Sequence, residues 1–304
     1  MIQMKSTEVN IGSLTLKSPV MPASGAFGSE MEQVVDFNQL GAIVPKSITK
    51  DPQPGNAKPR VCETEAGMIN SIGIQSKGLD YYLKHTIPSF EKYDSPLIAS
   101  ISAESIEEFA EMASILGNHS SVAALELNIS CPNLKGNGMA FGMDAAVTRS
   151  LTAEVRKVTS KPLIAKLTPN VTNIQDIALA AEAGGVDGLN VANTLLAMSI
   201  DVETRKPRIG NVMGGLSGPA VKPMIVRMIY QVAQVTSLPI IGCGGIMTGE
   251  DAIEMMIAGA TAVQVGTASF IQPTALTDIQ REIDDYMDKH NVDDIKELIG
   301  SIQI

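Results

Sequence analysis

A chain of 304 residues, 44% apolar and 18% charged, carries enough apolar material for a sizeable core and excludes a disordered tail or a disulfide mini-domain. Its 33 acidic against 23 basic side chains give a formal charge of -10, a field that repels phosphate backbones and argues against nucleic acid as a partner. Cys62, Cys131 and Cys243 form no CxxC pair and no metal-type spacing with His85, His119 or His290, so neither a metal site nor a disulfide framework is expected on this chain.

The opening segment, MIQMKSTEVNIG, lacks the apolar run of a signal peptide, and no apolar stretch reaches membrane-spanning length. A cytoplasmic protein without membrane contact is expected. EVNIGSLTLKSP (8–19) reads as a short hairpin able to plug one end of a barrel. Short apolar runs then recur at 19–24, 41–47, 96–102, 123–130, 162–167, 188–193, 239–245 and 261–267, with the length and β-branched content of buried parallel strands. Helix-like segments separate them, among them 105–117, 144–159, 174–185 and 249–260. The glycines after AEA and after MMIA suit helix C-terminal caps. No linker divides the chain, so residues 1–304 are expected to form one α/β domain, a (β/α)8 TIM barrel with an N-terminal β-hairpin. A doubly wound open sheet is the competing fold, but no GxGxxG follows an early strand.

Several runs end in a polar residue or glycine where a strand would reach the barrel's C-terminal rim: Ser24, Lys46, Ser100, Asn128, Lys166, Asn193, Gly244 and Gly266. Barrel active sites form on that face. The densest signal is ELNISCPNLKGNG (126–138), in which a strand delivers Asn128 and a loop presents Cys131 beside Pro132. Cys131 reads either as a small buried thiol or as a thiol base beside amides that orient a polar ligand. Cys62 and Cys243 lack that setting and read as structural. Lys46 and Lys166 each follow a buried run, where a cation needs a carboxylate, a phosphate or an anionic cofactor to offset it. Schiff-base chemistry, or simple snorkelling from the mouth, are the other readings. GGLSGPA (214–220), GCGGI (242–246) and VGTA (265–268) form a glycine-rich signature like the phosphate sites after strands 7 and 8 of many barrels.

Taken together, MPASGAFG, KSIT, NSIGIQ, LNISCPN, KLTPN, VANTLLAMSID, GNVMGGLSGPA, CGGI and AVQVGTA, from about Met21 to Phe270, resemble the catalytic subunit of class 1B dihydroorotate dehydrogenases. That resemblance implies FMN across the C-terminal mouth and oxidation of dihydroorotate to orotate in pyrimidine synthesis. It implies Cys131 as the catalytic base. Lys46, Asn70, Ser71, Ile72, Gly73, Ile74, Asn128, Asn133, Asn193 and Thr194 would contact substrate. Ser24, Lys46, Ser47, Ser100, Asn128, Lys166, Ala192, Gly218, Gly244, Gly245, Gly266 and Thr267 would contact FMN, several of them around its phosphate. It also implies a partner subunit carrying FAD and a [2Fe-2S] cluster that passes electrons to NAD, in a heterotetramer of two catalytic and two partner chains around a homodimeric core.

The chain departs from the family at two points. Ser100 stands where Asn is usual, and the NSIGIQSKG loop has a serine like that of the fumarate-using class 1A enzymes, although Gln75 matches 1B. A class 1A-like homodimer using fumarate, a Schiff-base aldolase and a non-catalytic flavoprotein are the alternative readings.

Overall fold

The computed structural model describes residues 5–130 and 141–304. Seven parallel strands form its central sheet, in the spatial order Val20–Pro22, Ala262–Val265, Ile240–Cys243, Gly188–Val191, Leu163–Lys166, Val122–Asn128 and Leu97–Ile101. The eighth expected strand, 41–47, is irregular. It still bridges in parallel from Ile43 to Leu97 and from Ile48 to Ile101 on one side. On the other side Gly41 N–H donates to Val20 O at 2.8 Å, so this segment closes the sheet into a barrel. Gly41 permits that closure because a Cβ there would stand 2.0 Å from Ser18 O. The expected (β/α)8 architecture therefore holds, with one stave built from isolated bridges.

The four expected helices form close to their anticipated bounds, as Ile106–Gly117, Ala145–Val158, Ile174–Ala183 and Gly249–Ala258. Their starts follow from side-chain caps. Ser105 Oγ accepts from Glu108 N, Asp144 Oδ1 accepts from Val147 N, and Thr248 forms a capping box with Asp251. Each such cap contributes about 1 kcal/mol. In Ile106–Gly117 the buried Phe109, Met112, Ala113 and Leu116 recur at helical spacing and face the sheet. Burying each of the three large side chains contributes roughly 1.5–3 kcal/mol. Gly259 caps its helix with a φ of 129°, whereas after AEA the cap Gly184 keeps a helical φ of −85° and Gly185, at 90°, makes the turn. Two further helices, Lys222–Ala233 and Ala275–His290, complete the outer layer of the second half.

The hairpin forms as expected, pairing Val9–Ile11 with Leu14–Leu16. Val9, Ile11, Leu14 and Leu16 are buried and alternate with exposed Asn10 and Thr15, the period of a half-buried ribbon. Ile11 packs where Gly188 begins its strand, so the hairpin covers the N-terminal end of the barrel.

One feature has no counterpart in the sequence reading. Leu195–Ala197, Gly214–Ser217, Gly67–Asn70 and Val61–Thr64 form a four-stranded antiparallel sheet, and Ile200–Asp201 pairs with Lys206–Pro207 in a two-stranded ribbon. Both follow the C-terminal ends of barrel strands. They carry the segments VANTLLAMSID and GNVMGGLSGPA above the mouth rather than around the barrel.

Candidate active site at the barrel mouth

Adjacent strands in register bring the polar residues into one layer. Ser100 lies beside Glu126, Asn128 beside Lys166, Lys166 beside Asn190, and Cys243 beside Gln264. Glu126, Asn190 and Gln264 are wholly buried and hydrogen-bonded to one another. Glu126 accepts from Asn190 Nδ2 at 2.8 Å and from Gln264 Nε2 at 2.7 Å through Oε2, and from Ser100 Oγ at 3.0 Å through Oε1. Gln264 Oε1 accepts from Asn190 Nδ2 at 2.7 Å and from Lys166 Nζ at 2.9 Å. Buried polar groups are tolerable only when paired in this way.

Lys166, 5% exposed, is the cation of this layer. Burial pushes its ammonium pKa down, but Cys243 and Glu126 more than offset that, and it lies above the ordinary lysine value. Burial pushes the Cys243 thiol up; Lys166 opposes the shift and Glu126 adds to it.

A run of hydroxyls leads from this layer toward the mouth. Ser100 Oγ lies 2.9 Å from Ser47 Oγ, and Ser47 Oγ lies 2.6 Å from Ser24 Oγ. Ser24 Oγ also accepts from Ser47 N at 3.1 Å. Ser100 is 1% exposed, so its hydroxyl is engaged between Ser47 and Glu126 beneath the rim. Above it, Asn193 Nδ2 donates to Asn128 Oδ1 at 3.1 Å, and Asn193 Oδ1 accepts from Thr194 N at 2.8 Å. Lys46 is half-buried with its Nζ against Gly25, and Ala192 is buried, its N–H donating to Cys243 O at 3.0 Å.

Asn70 ends the Gly67–Asn70 strand, and its Nδ2 reaches Gly215 O at 3.5 Å. The following loop is held from below: Asn56 Nδ2 donates to Ser71 Oγ at 2.7 Å, and Asn56 N to Ile72 O at 3.0 Å. Gly73 and Ile74 both turn through positive φ, 71° and 45°. Ile74 does so as a β-branched residue, a backbone conformation that costs energy unless its surroundings hold it.

The glycine signature gathers at one side of the mouth. Gly218 has a φ of 101° and packs so closely on Gly67 that a Cβ would stand 2.6 Å from its Cα. Gly244 and Gly245 turn at φ 131° and 86°, and a Cβ on Gly245 would meet Lys222 N at 2.6 Å, at the start of Lys222–Ala233. Gly266 precedes Thr267, whose Oγ1 donates to Ser217 Oγ at 2.8 Å. Main chain without side chains, beside a helix N-terminus, is the surface a phosphate needs.

Cys131 and Asn133 lie outside the described residues. The other expected site residues sit at the mouth or in the polar layer below it. Glu126, Asn190 and Gln264 are polar members of this layer that the sequence motifs do not single out, and Cys243, read as structural, lies beside Gln264. Glu126 had a legible signal: it stands two residues before Asn128 in an apolar run, hence on the same inward face. A cavity of about 470 Å³ lies at the opposite end, where Asn10, Ile240 and Thr261 meet, far from this chemistry. Among the described residues, no three His, Cys, Asp or Glu side chains are grouped to hold a metal ion, and no helix is long and apolar enough to cross a membrane.

A closed α/β barrel with a buried cation, converging amides and glycine turns at its C-terminal mouth has the layout of a barrel enzyme. The chain belongs to the dihydroorotate dehydrogenase family, whose model matches residues 6–287. It is 50% identical to a protein of Alkaliphilus metalliredigens named dihydroorotate dehydrogenase B (NAD(+)), catalytic subunit, over 97% of this chain and 98% of that one. Proteins of the same name from Phocaeicola vulgatus and a Geobacter species are 44% and 43% identical, covering 99% and 100% of this chain and the whole of each relative.

Proposed function

We propose that this chain oxidises dihydroorotate to orotate for pyrimidine synthesis, as the FMN-binding catalytic subunit of an NAD-linked dihydroorotate dehydrogenase. The observation that carries the reading is Lys166: a buried, protonated lysine at a strand's C-terminal end, beside a cradle suited to a phosphate. FMN, when bound, supplies the hydride acceptor.

The residues of this chain have separable tasks. Main-chain groups around Gly218, Gly244, Gly245, Gly266 and Thr267 hold the phosphate, and Ser24, Ser47, Ser100 and Ala192 line the neighbouring wall. Lys166 sets positive charge where negative charge develops on reduction, and needs no reorganisation to do so. Lys46, Asn70, Asn128, Asn133, Asn193 and Thr194, with the Ser71–Ile74 loop, bind the polar groups of the substrate. An analogue lacking those groups would leave the amides unpaired. Cys131 takes the proton from C5 as the hydride leaves C6.

Electrons leave through a partner subunit with FAD and a [2Fe-2S] cluster, two of each chain assembling around a homodimeric core in the cytoplasm, and residues 1–304 fold as one domain. Support comes from the relatives named as catalytic subunits of an NAD(+) enzyme. A Schiff-base aldolase is disfavoured at Lys166, because a nucleophilic amine needs a depressed pKa and this one is raised.

Acceptor choice tests the reading. The isolated chain is expected to reduce artificial dyes with dihydroorotate but barely to reduce NAD, and co-expression with a flavin and iron–sulfur subunit to restore NAD reduction. Efficient turnover with fumarate, and no gain from a partner, would move the chain to a class 1A-like enzyme.

A further inference from the structure

Glu126 is assigned no role by the family comparison, yet it is the wholly buried carboxylate of the layer that holds Lys166. Two amide N–H groups and a hydroxyl donate to its oxygens, the donor set an ionised carboxylate requires. Gln264 links the two charges: its Nε2 donates to Glu126 at 2.7 Å while its Oε1 accepts from Lys166 at 2.9 Å. Asn190 braces the link by donating to both Glu126 and Gln264. A lysine 5% exposed cannot stay charged alone, because an uncompensated buried ion costs several kcal/mol.

We propose that Glu126 is a positioning residue, the buried counter-charge that keeps Lys166 protonated and, through Gln264 and Asn190, holds its ammonium fixed at the barrel mouth before any ligand binds. This rests on the flavin reading of Lys166 for its purpose but not for its physics. A cation balanced from below is free to face a ligand above. Without Glu126, the lysine would shed its proton or turn from the mouth.

The claim is one of charge coupling, so a double-mutant cycle on the ligand-free protein tests it. Glu126→Gln and Lys166→Met each break the pair from one side and leave its other member uncompensated, to be neutralised or displaced at a cost, whereas the double variant removes both members. Thermal unfolding is expected to show the double variant more stable than either single one; if a single variant yields no folded protein, the double variant is expected to yield it. Losses that simply add, or a double variant that also fails to fold, would overturn the proposal.

A pH profile separates charge from packing. Lys166 and Glu126 are the charged groups acting on the Cys243 thiol. In Glu126→Gln, alkylation followed at the Cys243 peptide by mass spectrometry is expected to begin at higher pH, with the high-pH limiting rate unchanged. The reason is that the Lys166 charge that Glu126 sustains acts on this thiol more strongly than Glu126 itself. A shift to lower pH would show that Lys166 stays charged without Glu126 and would overturn the proposal. A rate raised at every pH would mean a loosened core, and an unmoved midpoint would mean no counter-charge; either result contradicts the assignment. Neither measurement involves flavin or dihydroorotate, so failure here leaves the proposed reaction standing, and the reverse also holds.

Discussion

Gln264 is the contact through which Lys166 meets the carboxylate layer, its side-chain oxygen taking the ammonium at 2.9 Å while its nitrogen donates to Glu126. An amide is suited to this place because it carries a donor and an acceptor on one rigid plane.

Gln264→Leu removes both contacts at nearly constant volume. Lys166 then keeps only its contact with Cys243, and Glu126 keeps the donors Asn190 and Ser100. A lost hydrogen bond to a buried charged group costs about 1.5–3 kcal/mol. Thermal unfolding is expected to fall by several degrees, with a larger loss than for Gln264→Glu at low pH, where the protonated acid keeps one donor. A Leu variant as stable as the parent would show that the link carries little.

The barrel and hairpin were legible because their signals are local. Buried parallel strands read as short β-branched runs, and Ser105, Asp144 and Thr248 announce their helices. Two things were not. The antiparallel sheet that brings Asn70 opposite Gly215 joins segments 145 residues apart, and neither segment alternates strongly enough to be read as a strand. Glu126 and Gln264 lie 138 residues apart, and only barrel closure turns two isolated polar residues into a pair. The glycine signature reads as following or ending barrel strands, yet GGLSGPA lies on the antiparallel sheet rather than at the end of a barrel strand.

Gly245→Ala probes the cradle. The position has a φ of 86°, and the added Cβ would meet the Lys222 backbone at 2.6 Å, a neighbour that cannot swing aside. The strained backbone alone costs about 1–3 kcal/mol. The variant is expected to lose thermal stability and to bind FMN more weakly than Gly266→Ala, whose Cβ would make only an ordinary 3.5 Å contact with Ala23. Fluorescence titration of apoprotein with FMN measures the difference; equal affinities would remove the Gly245 turn from the phosphate site.

Asp251 sets part of the acid limb of stability. Burial pushes its carboxyl up, but the Lys222 ammonium at 2.7 Å and the N–H groups of Met247 and Thr248 pull it below the ordinary aspartate value. A depressed folded pKa stabilises the fold above the unfolded value of about 3.9, and this stability is lost as pH falls through the lower folded value. Asp251→Asn is therefore expected to cost about 1–3 kcal/mol near neutral pH. The cost should shrink as the parent is acidified below about pH 4. Urea unfolding at stepped pH checks this, and a constant difference down to the lowest pH would assign the acid limb to other carboxylates.

Cys131→Ala is expected to retain FMN, since the proposed base meets substrate and not phosphate. Flavin reduction by dihydroorotate should slow by ~10²–10⁴-fold, the usual loss when a general base is removed. Cys131→Ser should remain slow near neutral pH, because a hydroxyl is a far weaker acid than a thiol. Stopped-flow reduction at the parent rate would take Cys131 out of the reaction.

Anaerobic titration of the purified chain with dihydroorotate tests the central claim most directly. The expected result is a yellow protein with one FMN per chain whose visible absorbance bleaches on adding dihydroorotate, with orotate formed in equal amount. A protein that takes up no FMN, or a bound flavin that keeps its colour with saturating dihydroorotate, would contradict it.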